Sequence, residues 1–281
     1  MLKQNNNSKV LGLIILIWAI LSAWFVYISA THASGDMRLA FGATYGSMAL
    51  VGGGIGLVAA KRWGGLKSKL GKTIIFLSLG LLAAEFGQIV FSYYNIILHV
   101  DVPYPSLADV GFFMNIPLYI IALTGLWQVS GTKYSLTKQK NKTLILVLPL
   151  IGLIMSYSVF LRGYDFTDAP LLRVFLDFGY PLGQAIYVTI ALSIFLLSVG
   201  ALGGIMKKRI LMLILAFAAQ YAADFNFLYQ NIHETWINGG YGDYLYFLAY
   251  TFMALSLVGF MSLNLGNSSS VTSASSTEEK V

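Results

Sequence analysis

Long apolar runs, each near the roughly 20 residues that carry an α-helix across a bilayer, alternate along this chain with short polar stretches. The pattern predicts eight spanning helices, at roughly 10–30, 41–60, 73–98, 108–129, 142–161, 174–199, 209–231 and 242–264. The first run follows the basic, polar "MLKQNNNSK" and precedes "ATHASG", which invites comparison with a secretory signal. Its apolar part, Val10 to Ile28, exceeds the about 7–15 residues of a signal core, so it reads as a retained helix.

Composition agrees with the pattern. The chain is 57% hydrophobic and 11% charged, whereas a soluble domain carries about 25% charged residues. A surface so poor in charge cannot face water, which leaves an all-α integral membrane protein whose first partner is the lipid bilayer. Cysteine is absent, which excludes a disulfide framework, a thiolate nucleophile and cysteine-ligated metals.

The net charge of +6 sorts by loop. With the N-terminus inside, fifteen of the eighteen Lys and Arg residues fall on inside segments, including Lys61, Arg62, Lys67, Lys69 and Lys72 in one loop. Only Arg38, Arg162 and Arg173 fall outside. By the positive-inside rule this predicts a cell-membrane protein with both termini cytoplasmic. The basic balance then reflects topology, and no nucleic-acid partner is expected.

The two halves resemble each other. "GLLAAEFGQIVFSYY" lies over "AQYAADFNFLYQNIH", with Ala83-Ala84-Glu85-Phe86 matching Ala222-Ala223-Asp224-Phe225 at an offset of 139. Gly64-Gly65 matches Gly203-Gly204 at the same offset, and Asp109 lies against Asp243. "ATYGSMALVGGGIGL" corresponds more loosely to "FGYPLGQAIYVTIAL". The expectation is a parallel 4+4 repeat: residues 1–132, residues 133–264, and a polar, disordered cytoplasmic tail at 265–281. Repeats of this kind are related by an axis along the membrane normal and place binding sites at their interface.

Two carboxylates lie deep in predicted spans. At 1.5 Å per residue, Glu85 stands about 18 Å and Asp224 about 22 Å from the inner ends of their helices. Ionisable groups at such depth are costly and are functional candidates by default. Gln88 shares a face with Glu85 and Gln220 with Asp224; Asn226 and Tyr229 lie beyond. These six are the candidate ligand or proton-site residues, with interhelical hydrogen-bonded glue as the competing reading. Broken helices, the usual mark of a transport site, have only Pro117, Pro149 and Pro181 as candidates. The Gly52/Gly56 face in the second span allows close packing, within the bundle or in a homodimer. Trp127, Tyr134, Trp236 and Tyr241 read as interfacial belt residues.

No lysine lies deep in a span for a retinal Schiff base, and no histidine pair lies within the membrane for haem. No metal cluster, cofactor motif or nucleophile with a base stands out. Catalysis by the two carboxylates, in a lipid-modifying enzyme, is the weakest of the functional readings.

The stretch "HVDVPYPSLADVGFF" follows the third span. Ser106 and Asp109 read as N-cap and acidic first-turn residue of the fourth helix, and Pro103 and Pro105 stiffen the approach. Tyr93, Tyr94, His99, Asp101, Tyr104 and Asp109 crowd this end, and the topology adds Asp177 and Asp243 to the same outer rim.

The runs "PYPSLADVGFF…P" and "DFGYPLGQA", followed by an intramembrane acid and "GDYLYFLAY", resemble the N-terminal multi-helix membrane modules that precede diguanylate cyclase and histidine kinase domains in many prokaryotic sensors. The resemblance spans about 220 residues from the second helix onward and puts Pro105, Asp109, Asp177 and Pro181 in family-like positions. It implies signal input: sensing of a small or lipophilic ligand. The chain ends sixteen residues after Leu265 without a kinase or cyclase, so a separate cytoplasmic or membrane signalling partner is expected. A small-solute or proton-coupled transporter is the alternative.

Overall fold

The computed structural model describes residues 2–33, 35–130, 132, 139–167, 169–198 and 204–262. The predicted disordered tail and Tyr134 lie outside the described residues. Among those described the chain is all-helical, with no strand. The helices are α1 (Leu2–Thr31), α2 (Gly35–Thr44), α3 (Ser47–Arg62), α4 (Lys69–Ser92), α5 (Leu107–Val129), α6 (Gln139–Ser156), α7 (Leu171–Ser198), α8 (Gly204–Ile232) and α9 (Tyr241–Met261). Single π-helical turns, Tyr93–Ile97 and Tyr157–Leu161, extend α4 and α6.

Eight segments are long and apolar enough to cross a bilayer, and their bounds fall within a few residues of those predicted, except at the start of the second. This is a multi-pass membrane protein. One end, the hairpin face, holds the α4–α5 connection, and the other, the basic face, holds Lys61 to Lys72.

The helices α3, α4, α5, α7, α8 and α9 pack in that order into a closed ring, α9 returning to α3. Helix α1 lies against α9 and α6 against α7. The apolar windows of α1 and α6 are 17% and 11% buried, against 61% for α9, so the first two face lipid and α9 is central. Glycines set the closest approaches. Gly111 of α5 lies on the backbone of Gly87 and Ala83, where no side chain would fit. Gly52 and Gly56 of α3 meet Ala254 and Leu257 of α9, so this small-residue face is used within the bundle. At the ring's centre Tyr119, Tyr187 and Phe217 are fully buried, with Tyr119 edge-on to Phe217 at 5.2 Å between centroids, a favoured aromatic geometry.

The second span departs from expectation. It begins at Gly35 and is broken at Tyr45–Gly46, whereas Pro117, Pro149 and Pro181 all sit inside unbroken helices. The cause of the break lies on another helix. The Gln88 side chain donates Nε2–H to the Gly42 carbonyl at 2.7 Å, the acceptor that the Gly46 N–H would take in a continuous helix. A side chain inserted into the ladder in this way kinks a helix without proline.

At the basic face the last turn of α9 is held from two sides. Arg62 Nη1 donates to the Met261 carbonyl at 2.6 Å, Trp63 Nε1 to Phe260 at 3.0 Å, and Arg209 Nε to Gly259. Cations and donors at a helix C-terminus satisfy its free carbonyls and oppose its dipole.

Candidate functional site

Two polar assemblies stand out. The first is a seam between α5 and α7 at the hairpin face. Ser106 and Asp109 form the predicted capping box: the Ser106 N–H donates to Asp109 Oδ2 at 2.7 Å, and the Ala108 N–H to Ser106 Oγ at 3.2 Å. The other Asp109 oxygen accepts from the Tyr180 hydroxyl of α7 at 2.9 Å. Three residues before Tyr180 on the same helix, Asp177 takes one tyrosine on each oxygen, Tyr104 at 2.7 Å and Tyr164 at 2.6 Å. Arg173 Nε pairs with Asp177 at 3.6 Å, and its guanidinium lies 6.0 Å from the Tyr104 ring centroid. One carboxylate therefore gathers the α4–α5 hairpin and the α6–α7 loop onto α7.

Both phenols remain protonated donors. Partial burial, then the Asp177 hydrogen bond, holds the Tyr104 hydroxyl far above the usual tyrosine range. For Tyr164 the hydrogen bond to Asp177 is the main cause of the upward shift. In the same loop Thr167 holds the Asp165 carboxyl below its ordinary value, first through its side-chain hydrogen bond and then through its N–H, which donates to Oδ1 at 2.8 Å.

The remaining rim residues divide. Tyr93, Tyr94, His99 and Asp101 sit at this end exposed or half-buried, and none makes a side-chain hydrogen bond to the seam among the described residues. Asp243, in the first turn of α9, is buried at 3% exposure, its Oδ2 accepting the Gly239 N–H at 2.6 Å.

The second assembly is a polar layer inside the ring. Asp224 is saturated: the Tyr187 hydroxyl donates to Oδ2, and Tyr246 (2.9 Å) and Gln220 (3.1 Å) donate to Oδ1. Three donors from α7, α8 and α9 converge on one carboxylate and tie these three helices of the second half together. Asn226 and Tyr229 do not join it. Asn226 donates to Gln230 at 3.0 Å, and Tyr229, 48% exposed, packs on Phe225 and His233.

Glu85 stands opposite in character. It is 7% exposed, yet its Oε2 is buried without any hydrogen-bond partner. The carboxyl lies directly on Gly46, where even a methyl group would overlap it. Next to it Gln88 is fully engaged: its Oε1 accepts from the Tyr45 hydroxyl at 3.0 Å while its amide holds the Gly42 carbonyl. Tyr45 also faces Asp243. A file of rings, Tyr45 to Tyr250 and Tyr250 to Tyr246, each 6.2 Å between centroids, connects the Glu85 end of the layer to Asp224.

Sequence reasoning singled out the acids and Tyr104 but missed Tyr187 and Tyr246 on Asp224 and Tyr164 and Tyr180 in the seam. The available signal was a phenol inside an apolar span, because a buried tyrosine hydroxyl ordinarily finds a partner. Two apolar clefts, of about 510 Å³ beside Phe166, Phe175 and Phe178 and about 360 Å³ between α1 and α9, open away from both carboxylates. Comparison with protein-family models, with curated proteins and with solved structures finds no match to this chain.

Proposed function

We propose that this chain is the signal-input or accessory component of a membrane signalling system, with the α5–α7 seam as its perceiving end. The observation that carries the reading is the Tyr180–Asp109 hydrogen bond. It joins the two sequence stretches that resemble sensory membrane modules, the one around Pro105 and Asp109 and the one around Asp177 and Pro181. The 4+4 duplication has matching support: Tyr45 of the first half faces Asp243 of the second, and Tyr180 of the second half bonds Asp109 of the first. Such crosswise pairs are what an axis along the membrane normal produces.

In this reading the lysine-rich basic face is cytoplasmic, with both termini on that side of the cell membrane, and the seam faces outward. A small or lipophilic ligand entering beside Phe166 and Phe175 alters how the hairpin grips α7. The shift in α5 and α7 is read by a partner at the basic face. The test is affinity purification of the full chain from its native membrane in mild detergent. Recovery of a kinase, cyclase or transport complex, weakened by Asp177→Asn, supports the reading. A chain that stays monomeric and alone, with or without Asp177→Asn, overturns it.

One observation favours a second reading, a small-solute or proton-coupled carrier. The second span is broken beside an intramembrane carboxylate, as transport sites commonly are. Uptake into reconstituted vesicles that disappears in Glu85→Gln and Asp224→Asn would establish it. Uptake that survives both would take the two acids out of a carrier mechanism, and no uptake of any solute offered would leave only the first reading.

A further inference from the structure

The two intramembrane acids differ in one countable respect. Asp224 receives three donors, whereas the buried oxygen of Glu85 receives none. An ionised carboxylate accepts several hydrogen bonds when buried, and one left without donors in a low-dielectric interior is among the costliest groups a fold can hold. The surroundings of Glu85 supply no relief. Tyr45 faces it from the α2–α3 break, and Tyr250, with Asp243 near Tyr45, from α9. On the α5 side α4 meets Ala108, Gly111 and Phe112. No lysine, arginine or histidine is among them, and the Tyr45 hydroxyl is engaged by Gln88 and Asp243.

The species that satisfies Glu85 must also be small. The carboxyl is packed onto Gly46 so closely that an added methyl has no room. A hydrogen atom on the carboxyl is the smallest species that removes its charge there.

We propose that Glu85 is a proton-binding site whose occupancy is coupled to the break in the second span. With α2 and α3 closed on it, Glu85 carries a hydrogen on Oε2 as a neutral acid. The O–H bond forms by uptake of one proton from water, the side-chain charge goes from −1 to 0, and nothing is oxidised or reduced. When α3 moves away from α4 the contact with Gly46 opens, water reaches the carboxyl and the proton leaves. Gln88, three residues on, holds the Gly42 carbonyl on the same stretch of backbone, so the titrating group and the wedge that breaks the helix sit on one face of α4. The site stands whether the protein signals or transports.

The experiment uses the full chain in lipid nanodiscs and needs neither ligand nor partner, so its outcome is independent of the function proposed above. Infrared difference spectra recorded between about pH 5 and pH 9 should contain a carboxylic-acid C=O band that shifts in heavy water, is lost in Glu85→Gln and persists in Asp224→Asn. Because the chain has no cysteine, Ser47→Cys supplies a single reporter at the break. Its alkylation rate, divided by that of the Ser47→Cys/Glu85→Gln double variant to cancel thiol titration, should rise by about tenfold across the range. Should Glu85→Gln fail to fold, Glu85→Asp serves instead, since it moves the frequency of a band arising at this residue and of no other. A band unchanged by both substitutions, or an alkylation ratio that is flat with pH, overturns the proposal.

Discussion

Tyr180 and Asp109 meet across the seam between α5 and α7, hydroxyl to Oδ1 at 2.9 Å, while Asp109 Oδ2 accepts the Ser106 N–H at 2.7 Å. One carboxylate thus starts a helix and ties it to a neighbour. Tyr180→Phe removes only the tie and should cost about 1.5–3 kcal/mol, the range for a hydrogen bond to a charged group. Asp109→Ala also removes half of the capping box, which adds about 1 kcal/mol. Thermal unfolding in detergent should therefore rank Asp109→Ala below Tyr180→Phe, and Tyr180→Phe below the unaltered chain. Equal melting temperatures for all three would show that the seam contributes nothing.

The two buried acids should respond differently to neutral replacement. Asp224→Asn disturbs three convergent donors and should cost about 2 kcal/mol or more, and Asp224→Leu, which strands all three, about 3–5 kcal/mol. Glu85→Gln breaks no hydrogen bond at the buried oxygen, so its cost should stay below about 1 kcal/mol. Denaturant unfolding of the three variants side by side measures the contrast.

Gly46 and Glu85 should be coupled. A methyl at position 46 falls on the carboxyl, so Gly46→Ala should destabilise by about 1–3 kcal/mol through overpacking. Glu85→Ala clears the space, and the double variant should recover about 1 kcal/mol or more relative to additivity. A double-mutant cycle that closes at zero would place the two groups apart.

The Asp177 clamp has a signature in alkali. The hydrogen bond to Asp177 raises the Tyr164 hydroxyl above its ordinary value, because the anion favours the neutral phenol. Asp177→Asn should let Tyr164 ionise nearer about pH 10. An ultraviolet titration should then show phenolate absorbance appearing at lower pH in the variant than in the unaltered chain.

Legibility in the sequence tracked the range of the interaction. The spans were readable because hydrocarbon demands some twenty apolar residues whatever their neighbours, and the Ser106–Asp109 box because it closes within three residues. The acids at 85 and 224 were conspicuous because such groups are rare in lipid. Their fates were not, since the donors to Asp224 arrive from Tyr187 and Tyr246 on other helices, which no local pattern announces. The break in the second span was hidden for the same reason. Proline was the available signal, yet all three intrahelical prolines are accommodated and the wedge is a glutamine 43 positions from the tyrosine it holds.

The grip of Arg62, Trp63 and Arg209 on the final carbonyls of α9 has a mechanical corollary. A rod fastened at its tip to two flanking posts cannot slide lengthwise without pulling both along, so displacement begun higher up the bundle reaches residue 261 as a swivel of three helices together. The tip of α9 and its two neighbours together form a tripod.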